Sequence, residues 1–229
     1  MTFSIVARCP RSGEVGIAAI TGMPGVGKLL THAAPGVGAV ATQGWLNPYL
    51  GLDGLALLRG GRHDARQALD EVIARDEDRD FRQVAVIDGA GATAVWTGTK
   101  CADHAGSLEG DGFSVQGNLL TGPDTLRACA EAFEAHRDAD LAVRLLHGIE
   151  AGERAGGDRR GGQSATIYVF ATEEYPLWDI RIDFHREPLK ELRKVFDRFA
   201  AELVPQIRDM PRRDNSHGRQ SHRGHEGLS

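Results

Sequence analysis

Three β-branched runs follow one another at the start of the chain with nothing helical between them: TFSIVAR (2–8), EVGIAAIT (14–21) and VGAVATQ (37–43). Their period-two alternation marks each as a strand. Pro10 to Gly13 supply the turn between the first two. Helical stretches come next, near 50–59 with leucines at 52, 55 and 58, and near 63–75 with Ala68, Leu69, Val72 and Ile73 on one face. Strands return at 82–88, 92–97 and 113–119, followed by helices from Pro123-Asp124 to about 135 and from Asp138 or Asp140 to about 151. Strands at 164–171 and 178–184 and a helix from Pro188 to about 203 complete the order. Strict βα alternation would predict a parallel doubly wound sheet. Strands arriving in runs predict antiparallel sheets with helices segregated to the outer faces. The expected fold is therefore α+β, a four-layer αββα sandwich of two mostly antiparallel sheets.

A length of 229 residues accommodates such a sandwich as one domain, expected over 1–208. The remainder, 209–229, ends in PRRDNSHGRQSHRGHEGLS, whose near-absence of apolar residues predicts a disordered, solvated tail. His217, His222 and His225 cluster there, but a polar tail accounts for them without metal or RNA. The net charge of −5 removes any electrostatic reason to expect nucleic acid or an anionic membrane as partner. Cys9, Cys101 and Cys129 are too far apart for a zinc site and odd in number, so free thiols are expected. Arg8 and Arg11 interrupt the region where a secretory signal carries its apolar stretch, and no segment approaches a membrane span. A cytoplasmic location is expected, with assembly as a homodimer that covers exposed sheet edges.

GMPGVGKLL (22–30) imitates a phosphate-binding loop, with Gly22, Gly27 and Lys28 in register. Leu29 occupies the position that needs a hydroxyl for magnesium, and Pro35-Gly36 follow too soon for the helix such a loop must open. The stretch reads as a turn between strands. His32, Asp103 and His104 make no metal-ligand pattern, DEDRD (76–80) lacks calcium-loop spacing, and no metal or cofactor is expected.

The opening TFSIVARCPRSGEVGIA resembles the start of an uncharacterised family, domain of unknown function 1028, placed among the Ntn-hydrolase-like proteins. GVGAVATQGWLNP (36–48), RQVAVID (82–88), QGN (116–118) and GGDRRGGQSA (156–165) continue the match in order, so the resemblance covers about residues 2–200. It implies the same αββα sandwich and little about function. Where the family tends to carry an acidic pair before a histidine, this chain reads Asp183-Phe184-His185. Some relatives append a peptidoglycan-binding-like domain; here a helix and a polar tail follow.

The resemblance implies a nucleophile at the first residue of the mature chain, with its own α-amine as base. Thr2 fits once Met1 is removed, and Ser4, two residues on along the same strand face, is the reserve. Without the resemblance, Thr2 is simply a β-branched strand residue. Acyl transfer also needs donors for an oxyanion, and Asn118 at a strand end is a candidate, although asparagine favours such turns anyway. Gln116 is unusual as a long amide in an apolar strand, while Thr42, Gln43 and Asn47 bring hydroxyl and amide groups to another strand end. Four glycines surround Asp158, Arg159 and Arg160, with Gln163 following, a composition that lets backbone approach a ligand. Asp158 would orient the nucleophile and an arginine would clamp a carboxylate; an ordinary surface Asp–Arg turn explains them equally. His185 is a weaker candidate. The expected activity is a metal-independent amidohydrolase cleaving a C–N bond in a small polar metabolite. The alternative is a silent member that binds a metabolite or protein partner. Thr2, Gln43, Asn118 and Asp158 are expected around one concavity, with Arg159 or Arg160 at its rim.

Overall fold

The computed structural model describes residues 2–218. One sheet is built from Thr2–Arg8 (β1), Val15–Thr21 (β2), Gly106–Gly110 (β7), Phe113–Asn118 (β8), Ser164–Phe170 (β9) and Trp178–Ile182 (β10). Its order is β10-β9-β2-β1-β8-β7, so the N-terminal strand is central. The second sheet takes Thr31–Ala34 (β3), Gly38–Gly44 (β4), Arg82–Asp88 (β5) and Thr93–Thr97 (β6) in sequence order. Every pairing is antiparallel. Two short edge strands, β3 and β7, lie outside the segments expected from alternation.

Period-two alternation divides each strand between two layers. Phe3, Ile5 and Ala7 of β1 pack outward with Phe133 of helix Asp124–Ala135 (α4), Leu145 and Ile149 of Leu141–Arg154 (α5), and Leu192 and Phe196 of Pro188–Arg198 (α6). Val6 of the same strand joins Ile17, Ala19, Ala41, Ala85 and Ile87 between the sheets. On the far side Val40, Val84 and Val86 pack with Leu50 and Leu58 of Pro48–Arg59 (α2) and with Leu69 and Val72 of Ala65–Ala74 (α3). The result is the four-layer αββα sandwich.

Local chemistry starts the helices where they are needed. Asn47 accepts from Tyr49 N ahead of Pro48 to cap α2, and Asp64 with Gln67 forms a capping box on α3. The stretch 22–30 contains a single helical turn, Val26–Leu29 (α1), entered through Gly25 at φ 74°. Helix α6 continues through a π turn, Phe199–Leu203, into Val204–Arg208 (α7). Residues 209–218 form turns held against the body, where Tyr175 Oη donates to Pro211 O at 2.9 Å and Arg213 pairs with Glu174. Of the tail expected over 209–229, the part beyond 218, with His222 and His225, lies outside the described residues, as does Met1. Among the described residues no helix is long and apolar enough to cross a membrane.

Candidate active site

The space between the sheets changes character along the strands. At the end away from Thr2 it is filled by Val6, Val15, Ile17 and Ile87; at the Thr2 end the inward side chains that meet from β1, β8, β4 and β5 are polar. Strand β1 contributes Thr2 and Ser4, β8 contributes Ser114, Gln116 and Asn118, β4 contributes Gln43, and β5 contributes Gln83. All seven are buried.

Burial on this scale is tolerable only if the groups satisfy one another, and they do. Ser4 Oγ donates to Gln43 Oε1 at 2.8 Å and accepts from Gln116 Nε2 at 2.6 Å. Ser114 Oγ donates to Gln116 Oε1 at 3.0 Å. Gln83 Oε1 accepts from Gln43 Nε2 at 2.8 Å and from Asn118 Nδ2 at 3.0 Å. Gln83 Nε2 faces Thr97 Oγ1, Gly106 O and Gly117 O at 3.0, 3.1 and 2.9 Å. Gln43 Nε2 also lies 3.5 Å from Thr2 O and 3.3 Å from Gln116 O. The network thus spans both sheets and grips the backbone on either side of Ser4. Gln83 is its most connected member. Its signal in the sequence was a long amide inside an apolar strand, the feature that singled out Gln116.

Thr2 ends this layer at a cavity of about 310 Å³. Its hydroxyl donates to Thr21 Oγ1 at 3.0 Å. Thr2, Thr21 and Gln43 supply the polar groups of the lining; Met23, Pro24, Val26, Leu29, Leu30 and Leu46 make apolar walls. The lining holds no ionisable side chain among the described residues.

Behind the wall stands Asp158, whose side chain is fully enclosed. It accepts from Gly22 N at 2.5 Å and from Arg160 N at 2.7 Å, with Arg160 Nη2 at 3.4 Å. A Cβ on Gly22 would sit 2.9 Å from both carboxylate oxygens, so only glycine allows this approach. Asp158 therefore ties the glycine-rich loop to the residue that follows Thr21. The loop is tied on its other side to the segment just after β8, through the bridge between Leu120 and Asp158.

The structure brings Thr2, Gln43, Asn118 and Asp158 into one neighbourhood. Thr2 stands directly opposite Asn118 in the sheet register. Only Thr2 and Gln43 of the four line the cavity; Asn118 and Asp158 support its floor and wall. Other expected substrate contacts turn elsewhere. Thr42, one residue out of phase with Gln43, faces the helical layer and donates to Asn47 O at 3.2 Å. Asn47 Nδ2 donates to Asp76 Oδ2 at 2.9 Å, and this bond and that from Arg82 hold the Asp76 carboxyl below its ordinary pKa against the opposing effect of burial. Ser4 and Gln116 are sealed within the amide network. Arg159 Nη2 donates to Leu120 O at 3.2 Å, Arg160 is bound to Asp158, and Gln163 N donates to Thr21 O at 2.7 Å. Neither arginine lines the cavity, so the expected carboxylate clamp is not assembled there. His185 meets the same loop through its backbone, donating to Gln163 O at 2.8 Å.

The model of a family of unknown function (DUF1028) matches residues 2–192. The chain is similar to the crystal structure of protein SPO2555 from Silicibacter pomeroyi, of the same family model, with 30% identity and a TM-score of 0.86. That match covers 95% of this chain and 98% of the other. A more distant likeness is to Anbu, an ancestral β-subunit from Yersinia bercovieri, at 14% identity and a TM-score of 0.40, covering 89% of this chain and 97% of that one. No functionally curated protein matches.

Proposed function

The chain belongs to the DUF1028 family of unknown function, and we propose that it is a metal-independent amidohydrolase of the N-terminal-nucleophile type, cleaving a C–N bond in a small metabolite. The observation that carries this reading is the place of Thr2. It opens a central strand and offers its hydroxyl to a cavity, 3.0 Å from a second hydroxyl on Thr21. In a chain beginning at Thr2, Oγ1 attacks the substrate carbonyl and the α-amine takes the hydroxyl proton. An α-amine is suited to this because its unperturbed pKa is about 7.7–8.0. The proton passes to the departing amine as the C–N bond breaks, and water then hydrolyses the threonyl ester to release the acid. Asn118 and Asp158 act as positioning residues, one holding the strand opposite Thr2 and the other fixing Gly22 beside Thr21.

The second reading is a catalytically silent member that binds a small metabolite. It draws on the absence of an ionisable side chain among the described lining residues, which leaves the α-amine as the sole candidate base. Intact-mass measurement of the expressed protein, with a screen of small amides, lactams and ureido compounds, separates the two. The hydrolase reading expects a mass lacking Met1, and turnover that falls at least about a hundred-fold in Thr2→Ala. A protein that keeps Met1 and turns over nothing in the screen leaves the binding reading.

A further inference from the structure

The cavity beside Thr2 has an uneven chemistry. Its hydroxyls and the Gln43 amide gather at one end, while Met23, Pro24, Val26, Leu29, Leu30 and Leu46 surround the rest. Met23, Leu29 and Leu46 are 53%, 51% and 40% exposed, and what sets them apart is that they stand together around one cavity. Val26 and Leu30 are buried behind them, so the apolar surface continues inward toward Thr2. The nearby cations are engaged elsewhere: Lys28, between two wall residues, pairs with Asp183 at 3.2 Å, and Arg160 is bound to Asp158. A carboxylate entering this space would lose its hydration with no side-chain counter-charge among the described lining residues.

We propose that this cavity is an acyl-chain pocket, and that the substrates are amides of short aliphatic acids. The proposal rests on the hydrolase reading above and names the side of the scissile bond that the cavity holds. During acyl transfer the amine half departs after the first step, whereas the acyl half stays bonded to Thr2 Oγ1 until water releases it. A cavity that begins at that oxygen and is lined by hydrocarbon serves the half that remains. Its volume of about 310 Å³ lies at the small end of ligand sites, roughly 300–1,000 Å³. This narrows the expected small polar metabolite: the polarity belongs at the scissile amide and beyond it, not on the acyl chain.

The test uses the mature full chain, checked by intact mass, with acetyl, butyryl, hexanoyl and succinyl anilides. The expected result is a rise in kcat/KM of about four-fold per added methylene from acetyl to butyryl, with the succinyl compound slowest. Met23→Glu, at an exposed wall position, compresses the butyryl-to-acetyl ratio toward one. Succinyl anilide cleaved as fast as butyryl anilide overturns the pocket while leaving the hydrolase reading intact. If no anilide is turned over, the hydrolase reading is left to the wider screen and the pocket is decided by calorimetry on Thr2→Ala. Hexanamide binding at least ten-fold more tightly than succinamate then supports it, and equal binding overturns it.

Discussion

The two halves of the layer between the sheets share strands β1, β4 and β5 and differ in what holds them. In one half Val6, Ile17, Ala41 and Ile87 meet through non-directional contacts; in the other Ser4, Gln43, Gln83 and Gln116 meet through directed hydrogen bonds. Hydrocarbon packing tolerates small changes in shape and orientation. A buried amide network does not, because each lost partner strands another group without water. The apolar half therefore secures the sandwich, while the polar half fixes where β1 ends and hence where Thr2 sits. The proposed nucleophile would need that second kind of support.

The sharpest way to break the contrast is Gln83→Leu. The side chain is fully buried, and its removal strands Asn118 Nδ2, takes from Gln43 Nε2 its shortest bond, and deprives the carbonyls of Gly106 and Gly117 of a donor. The expected loss is on the order of 3 kcal/mol or more, read from the urea midpoint at constant m. A loss under about 1 kcal/mol would mean that the network relaxes and does not hold the strands.

A smaller effect separates the halves by coupling. Ser4→Ala is expected to cost about 1–2 kcal/mol by stranding Gln43 and Gln116. Ile17→Val in the apolar half is expected to cost about 1 kcal/mol. Combined with Gln43→Leu, the serine variant should depart from additivity by roughly 0.5–3 kcal/mol, because Ser4 and Gln43 are bonded directly. The Ile17 variant, which shares no hydrogen-bond partner with Gln43, should add within about 0.5 kcal/mol. Equal coupling in both pairs would erase the distinction.

The same contrast explains which features were legible in the sequence. Strands with a buried face announce themselves by alternation, and β5 occupies the segment 82–88 that its pattern predicts. The short edge strands β3 (THAA) and β7 (GSLEG) are held mostly by backbone pairing to one neighbour, with side chains largely exposed or half-buried. No hydrophobic pattern marked them. At the site, Gln43 and Asn118 were recognisable as polar groups at strand ends and Asp158 as a carboxylate in a glycine-rich loop, whereas Thr2 stood out through the family resemblance. Strand parity was not, so Thr42 and Gln43 read alike although one faces the helices and the other the cavity. The apolar walls were equally hidden: Met23, Leu29 and Leu46 come from loops and a single helical turn, where periodicity carries no information.

The smallest expected effect lies just outside the network, where the last turn of α5 meets the loop that carries Asp158. Glu153 Oε1 accepts from Gly162 N at 3.3 Å, while its buried Oε2 has no hydrogen-bond partner among the described residues. Burial raises the carboxyl pKa above its ordinary value, the charge of Asp158 adds to this, and the backbone donors of Gly162 and Asp158 oppose it. The folded state therefore keeps this proton over a range where the unfolded chain, with a glutamate pKa of about 4.3, has lost it. Glu153 weighs least against folding below that value, and its contribution to stability declines as pH rises through the folded pKa. Glu153→Gln removes the titration and retains an acceptor for Gly162. From about pH 4 upward the variant should gain on the parent and then level off above the folded pKa, by less than about 1 kcal/mol in all because the site is partly solvated. Chemical denaturation at a series of pH values measures the difference directly, cancelling contributions from the other titrating groups. Parallel stability profiles would show that Glu153 ionises as easily in the folded chain as in the unfolded one, and that the loop behind Thr2 carries no electrostatic strain.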